Sequence, residues 1–81
     1  PLGLVVGAVL QQGVEGVRSG SRLWIGRAIT LADDIARGHK VALLPMGIGA
    51  PVLKYGFPIG HATATIRPGA HVHSHNLSTA L

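Results

Sequence analysis

The 81-residue chain contains no cysteine, so neither a disulfide nor a thiolate-bound metal can stabilise it. Its only aromatic residues are Trp24, Tyr55 and Phe57, and the core must therefore be built from Val, Ile, Leu and Ala. Charged residues make up 12% of the chain against 47% hydrophobic residues, which excludes a disordered composition. A domain of this size buries only about 60–65% of its unfolded surface. We therefore expect a larger partner, a bound metal or homo-oligomerisation to reinforce it.

The charge pattern argues against two classes of partner. Seven basic residues give a formal net charge of +4, but they are scattered singly along the chain. Nucleic-acid-binding proteins cluster their basic residues, so no nucleic-acid partner is expected, and scattered cations suit a small carboxylate better. The apolar opening segment Pro1–Leu10 lacks a basic start and has about half the length that spans a bilayer. We interpret it as a buried strand, expect no membrane partner, and expect a cytoplasmic location, which the absence of cysteine fits.

One short pattern occurs four times: an apolar residue, two residues, glycine, two residues and a second apolar residue. The four copies are Val17–Leu23, Ile35–Val41, Met46–Val52 and Ile66–Val72. Because glycine tolerates positive φ, each copy predicts a strand end, a tight turn and re-entry into a strand. Pro68 followed by Gly69 is typical of a type II turn.

Short strands are predicted between these turns. They are Leu4–Leu10, Leu23–Ile25, Lys40–Leu44, Pro51–Lys54, Ile59–Ala64 and Ala70–His75. The segment Ile29–Arg37 can form a short helix with Thr30 as its N-cap and Gly38 beyond its end, and an extended segment is the equal alternative. The predicted fold class is therefore a compact all-β domain with at most one or two short helices, in a single domain over residues 1–81.

The segment from His71 to Asn76 has histidine at every second position up to His75. On a strand, alternate side chains share a face, so His71, His73 and His75 would lie about 6–7 Å apart between neighbours. Imidazole nitrogens at such positions can converge on one divalent ion, and they suit Fe, Mn or Zn. The sequence thus predicts a metal site on this face, with Val72 facing the core. An exposed polar strand face is the alternative.

The other candidates for chemistry are few. His39 directly follows the turn residue Gly38, and His61 is a weaker candidate. The adjacent carboxylates Asp33 and Asp34 cannot share a face, which excludes a paired-carboxylate mechanism. Any chemistry must therefore come from histidine and a metal, or from another chain.

A second group of candidate residues lies between Lys54 and Gly60. Gly56 and Gly60 bracket a tight connection where a ligand could approach the backbone, and Lys54 could offer a cation to a carboxylate. The alternative is a structural hairpin with a solvated lysine.

Three segments, in this order, resemble one known family. They are Asp34–Leu43 with its Gly-His-Lys-Val-Ala series, Pro51–Thr63 with Lys-Tyr-Gly and Ile-Gly, and Gly69–Asn76 with His-Val-His-Ser-His-Asn. They make the chain similar to the SAF domain, of β-clip fold, in altronate/galactarate dehydratases and in sulfolactate sulfo-lyase small subunits. The resemblance covers about residues 29–77. The opening Pro1–Arg27 departs from the family pattern, and Phe57 stands where the family tends to have a polar residue.

The resemblance implies a small subunit or N-terminal domain that works with a larger catalytic subunit or domain. Such enzymes eliminate water from a sugar acid and depend on a divalent metal, for which Fe²⁺ or Mn²⁺ is expected and Zn²⁺ is the alternative. The residues implied are His39, His73 and His75 in catalysis, His71, His73 and His75 as metal ligands, and Lys40, Lys54 and Gly56 at the substrate. A non-catalytic module that binds a sugar acid or a partner protein is the alternative, and a dimerisation domain is a third reading.

Overall fold

The structure, a computed structural model, describes residues 4–8, 16–24, 28–54 and 56–79. These residues form ten short strands. They are β1 (Leu4–Ala8), β2 (Gly16–Val17), β3 (Arg22–Trp24), β4 (Ala28–Thr30), β5 (Ile35–Ala36), β6 (Lys40–Ala42), β7 (Pro51–Lys54), β8 (Phe57–Ala62), β9 (His71–Val72) and β10 (Leu77–Thr79). The all-β prediction is confirmed for this part of the chain. None of the described residues forms a helix with the length and apolar character that a membrane crossing requires.

Ile29–Arg37 contains no helix, so the extended alternative is confirmed and the short helix with its Thr30 cap is wrong. Ala28–Thr30 pairs with β3, and Ile35–Ala36 pairs with β2. Burial alternates along this segment, since Ile29 and Leu31 are buried while the residues on either side of Ile29 are exposed. A period of two buries apolar side chains on one face of a strand, and that packing outweighs the local capping signal.

Six strands form one sheet in the order β10-β8-β7-β1-β6-β9. All neighbours are antiparallel except β1 and β7, which are parallel. The remaining strands make two small ribbons, β2 with β5 and β3 with β4. The strands predicted from sequence are found with bounds shifted by a few residues, except that Ala70–His75 shortens to His71–Val72. Residues 9, 10 and 25, at the ends of two predicted strands, lie outside the described residues.

The four predicted glycine turns are confirmed. The central glycines Gly20, Gly38, Gly49 and Gly69 have φ values of 85°, 79°, 84° and 85°. In every copy the residue after the first apolar position accepts a backbone hydrogen bond from the residue three positions later, at 2.9–3.2 Å. One turn geometry is therefore used four times, with the glycine at the position that needs positive φ.

These turns also build the core. The six largest fully buried side chains are the two apolar positions of the last three copies: Ile35, Val41, Met46, Val52, Ile66 and Val72. The copies pair with one another, since Val17 lies opposite Ile35 and Met46 forms a bridge with Ile66. Each such side chain contributes about 1.5–3 kcal/mol by burial. The repeated turn thus fixes both the corners of the chain and its packing.

Two apolar clusters result, and β6 belongs to both. Val41 packs with Ile29, Leu31, Ile35 and Leu43 in one cluster, while Ala42 packs with Val52, Val72 and others in the second. Adjacent residues of a strand point to opposite faces, so the clusters lie on the two faces of β6.

Gly69→Ala should destabilise the chain far more than Gly49→Ala, although both glycines have nearly the same φ. A Cβ at residue 69 would lie 2.2 Å from the Thr30 carbonyl oxygen, whereas one at residue 49 would meet nothing within 4 Å. We expect Gly49→Ala to cost about 1–2 kcal/mol for the backbone conformation. Gly69→Ala should cost at least about 2 kcal/mol more, because backbone must move. Urea unfolding of both variants measures the difference, and equal costs would contradict the packing described.

Candidate functional site

The histidines meet because of the register between β6 and β9. These strands are antiparallel, with Val41 opposite His71 and Lys40 opposite Val72. Continuing this register by one residue places His39 opposite His73. Paired residues and alternate residues share a face, so the three histidines lie on the Val41 face of the sheet.

The three rings form a compact cluster. Ring centroids are 4.9 Å apart for His39 and His73, 5.1 Å for His39 and His71, and 5.4 Å for His71 and His73. His39 Nδ1 and His71 Nε2 share a hydrogen bond of 2.9 Å, in which the tautomers decide the donor. One ring nitrogen from each residue lies within 4.8 Å of the other two. Nitrogens bound tetrahedrally to one ion at about 2.0–2.1 Å are about 3.3 Å apart, so the donor set fits a divalent metal after small ring movements.

His75 lies beside this cluster, but a turn and not the predicted strand places it there. The strand ends at Val72, and the chain turns so that the amides of Asn76 and Leu77 both donate to the His73 carbonyl, at 3.0 and 2.9 Å. The prediction of a strand through His75 was therefore wrong. The His75 ring nevertheless lies 5.4 Å from that of His71.

The buried side chain of Asn76 explains where the strand ends. Its Oδ1 accepts a hydrogen bond from the His73 amide at 3.0 Å, and its Nδ2 donates to the His71 carbonyl at 2.8 Å. The Asn76 side chain thus binds the backbone of both histidines, and these hydrogen bonds compete with continued strand pairing. Asparagine three residues after His73 is a local signal that sequence reasoning could have used.

Asp33 also holds the site and was missed by the sequence analysis. Its Oδ2 accepts a hydrogen bond from the His71 amide at 2.9 Å, across 38 residues of sequence. Asp34 has a different hydrogen-bond partner, since its Oδ1 accepts from the Ser19 amide at 2.7 Å. The two adjacent carboxylates therefore have different partners, and of the two it is Asp33 that is hydrogen-bonded to the histidine segment.

Burial lowers the pKa of His71 below the ordinary histidine value of 6.5, and the nearby charges of His39, His75 and His73 lower it further. The carboxylate of Asp33 acts in the opposite direction and raises this pKa. His71 is therefore neutral near pH 7, which is the form that binds a metal or accepts a proton. Because protonation favours the unfolded chain, the stability from this group is lost as the pH falls below 6.5.

An open cleft of about 560 Å³ lies beside the cluster and is lined by His39, His71, Arg18 and Asp34, among others. We call it the Arg18 cleft. Its volume is within the range of small-molecule sites. Arg18 is one of several isolated arginines, and nothing in its sequence position indicated a place beside the histidines.

The predicted substrate-binding residues lie away from the histidines. Lys54 is the last residue of β7, and β1 and β6 lie between β7 and β9 in the sheet. At about 4.8 Å per strand, β7 and β9 are about 14 Å apart along the sheet. Gly56 is in the connection between β7 and β8, and Lys40 faces the side of the sheet opposite to His71. His61 is exposed on β8. The structure thus gathers four of the five histidines, and the substrate roles of Lys40, Lys54 and Gly56 stay predictions.

Residues 5–80 match a family model described as the altronate/galactarate dehydratase SAF domain. The match includes most of the opening segment, so the likeness extends well beyond residues 29–77.

Relatives with this module differ greatly in length. The chain is 54% identical over 55 residues to altronate dehydratase of Escherichia coli and 47% identical over 69 residues to that of Bacillus subtilis. The aligned parts are 68% and 84% of this chain but only 11% and 14% of those enzymes. It is 38% identical over 73 residues to (2R)-sulfolactate sulfo-lyase subunit alpha of Chromohalobacter salexigens, covering 82% of this chain and 78% of that subunit. The same module therefore forms a small part of long chains and most of a short subunit.

Asp33→Asn should lower the pKa of His71 further, because it removes the negative charge that raises it. The amide oxygen of asparagine can still accept the hydrogen bond from the His71 backbone, so the fold should be kept. NMR titration of the His71 ring protons measures this pKa. Asp34→Asn is the matched control, since Asp34 bonds Ser19 instead, and it should leave the titration of His71 unchanged. A pKa that rises or stays constant in Asp33→Asn would contradict the described contact.

Proposed function

The chain belongs to the altronate/galactarate dehydratase SAF domain family, and from this premise we propose that it is the histidine-bearing module of a metal-dependent sugar-acid lyase. The relatives named altronate dehydratase and sulfolactate sulfo-lyase subunit alpha support a lyase-associated role. Since the chain spans only 11–14% of the dehydratases, most of the catalytic machinery would lie in a larger domain or subunit. A cytoplasmic location belongs to this proposal.

The observation that carries the proposal is the cluster of His39, His71 and His73 beside the Arg18 cleft. Three imidazoles suit a divalent transition metal, with Fe²⁺ or Mn²⁺ proposed and Zn²⁺ as the alternative. When bound, such an ion would act as a Lewis acid toward the oxygens of a hydroxy acid. Asp33 and Asn76 would hold the ligand segment in place, as partners outside the ligand set do in metal sites.

The four histidines divide into two roles in this account. His39, His71 and His73 would be ligands, which revises the set of His71, His73 and His75 suggested by the sequence. His75 lies next to this set but outside it. We therefore assign His75 the role of general acid, which donates a proton to the departing hydroxyl so that it leaves as water. Arg18 would orient the substrate carboxylate in the cleft through charge-assisted hydrogen bonds.

The open cleft explains why a larger partner is part of the proposal. His73 and His75 are exposed, and His39 and His71 are only half-buried. Elimination also requires a base for the proton next to the carboxylate, and we assign that base to the partner. Covering the cleft would exclude water and strengthen each electrostatic interaction inside it. The same openness favours the second candidate function, a non-catalytic module that binds a sugar acid.

Calorimetric titration with Zn²⁺ and Mn²⁺ should give histidine-dependent binding at micromolar affinity or better. His39→Ala and His73→Ala should each weaken it at least about tenfold, because each removes a ligand. His61→Ala is the matched control, since His61 lies on β8 outside the cluster, and it should bind like the wild type. Loss of affinity in His75→Ala but not in His39→Ala would contradict this ligand set. Metal-independent binding of a sugar acid would favour the second candidate function.

His75→Ala should separate proton transfer from metal binding. In the enzyme assembled with its larger partner, we expect a fall in kcat of about 100-fold or more with metal affinity kept, as for loss of a general acid. Turnover assays of the metal-loaded assembly measure this. Unchanged kcat would show that another group protonates the leaving hydroxyl.

A further inference from the structure

A second cleft, of about 340 Å³, adjoins the histidine cluster on the His75 side. Its lining includes Asp33, Thr65, Arg67, His75 and Asn76, and we call it the Arg67 cleft. His71 lines the Arg18 cleft and His75 lines the Arg67 cleft, with 5.4 Å between their ring centroids. Histidines of the cluster and its neighbour His75 therefore line both clefts.

The two arginines hold equivalent positions in the repeated turn. Arg18 follows Val17 in the first copy, and Arg67 follows Ile66 in the fourth. Each also accepts the hydrogen bond that closes its turn, from Ser21 at 3.2 Å and from Ala70 at 3.1 Å, so the backbone anchors both in the same way. The other two copies have Ala36 and Gly47 at this position. Arg18 and Arg67 are thus the two guanidinium-bearing residues at this turn position, and each lines one cleft beside the histidines, whereas Ala36, which also lines the Arg18 cleft, carries no charge.

The chemistry of the Arg67 cleft suits the far end of a polyhydroxy acid. A guanidinium pairs with a carboxylate in a planar, two-bond geometry, and the hydroxyl of Thr65 can donate to or accept from a substrate hydroxyl. A carbon chain with about four or five C–C bonds of about 1.5 Å each spans the separation of the two rings. A short acid held beside His71 in the Arg18 cleft could therefore extend past His75 toward the Arg67 cleft.

We infer that the Arg67 cleft receives the far end of the sugar acid and that Arg67 selects substrates with a second acidic group there. This inference rests on the proposed function, which places the first carboxylate in the Arg18 cleft. Arg67 is then a specificity-determining residue, and a diacid is bound better than the matching monoacid.

The test compares galactarate with galactonate, which differ only in whether the far carbon is a carboxylate or an alcohol. Each is titrated into the Zn²⁺-loaded chain while backbone amide shifts are followed by NMR. We expect galactarate to bind about three- to tenfold more tightly than galactonate, and its shifts to include Thr65 and Arg67. Arg67→Gln should bring the ratio close to one. Arg37→Gln, an exposed arginine in the turn of the second copy, is the matched control and should keep the ratio.

The outcomes separate the inference from its premise. Two outcomes would overturn the role of Arg67 while supporting the proposed function. One is amide shifts near Gly16 and Val17 without shifts at Thr65. The other is a ratio of galactarate to galactonate affinity that Arg67→Gln leaves unchanged. Absence of shifts in both clefts would contradict the proposed function and this inference together.

Discussion

Antiparallel pairing of β6 with β9, with Val41 opposite His71, is the constraint on which the histidine cluster depends. A slip of one residue would turn every side chain of one strand to the other face and separate the rings. Several contacts oppose such a slip. Val41 and Val72 are fully buried on opposite faces, and Asp33 and Asn76 bind the backbone of the His71 segment. The site is thus positioned by packing and backbone hydrogen bonds before any ligand is bound.

The fold could be predicted from sequence where it rests on local rules. The four glycine turns and most strands followed from glycine spacing and apolar positions, because turn geometry and alternation are properties of short segments. The choice between a helix and an extended segment at Ile29–Arg37 stayed open, because the partner strands that make the extended form favourable are separate segments of the chain. The pairing of turn copies, such as Met46 with Ile66, is likewise a long-range property that the pattern alone does not contain.

The candidate site, too, could be predicted from sequence only in its local parts. The alternation from His71 to His73 was visible in the sequence, and the resemblance indicated His39. Their meeting required the register of two strands, which sequence spacing does not give. Asp33 acts across 38 residues, and Arg18 and Arg67 reach the clefts through turn positions whose neighbours become known only in three dimensions. Asn76 was the exception, because its bond to His73 is local.

The proposed site requires three imidazoles, from β6 and β9 and the residues beside them, to bind one divalent ion. Zinc X-ray absorption spectroscopy of the Zn²⁺-loaded chain tests it most directly, because it counts ligands and measures their distances. We expect three imidazole nitrogens at about 2.0–2.1 Å in the wild type and two in His39→Ala. Fewer than three imidazoles in the wild type, or an unchanged spectrum in His39→Ala, would contradict it.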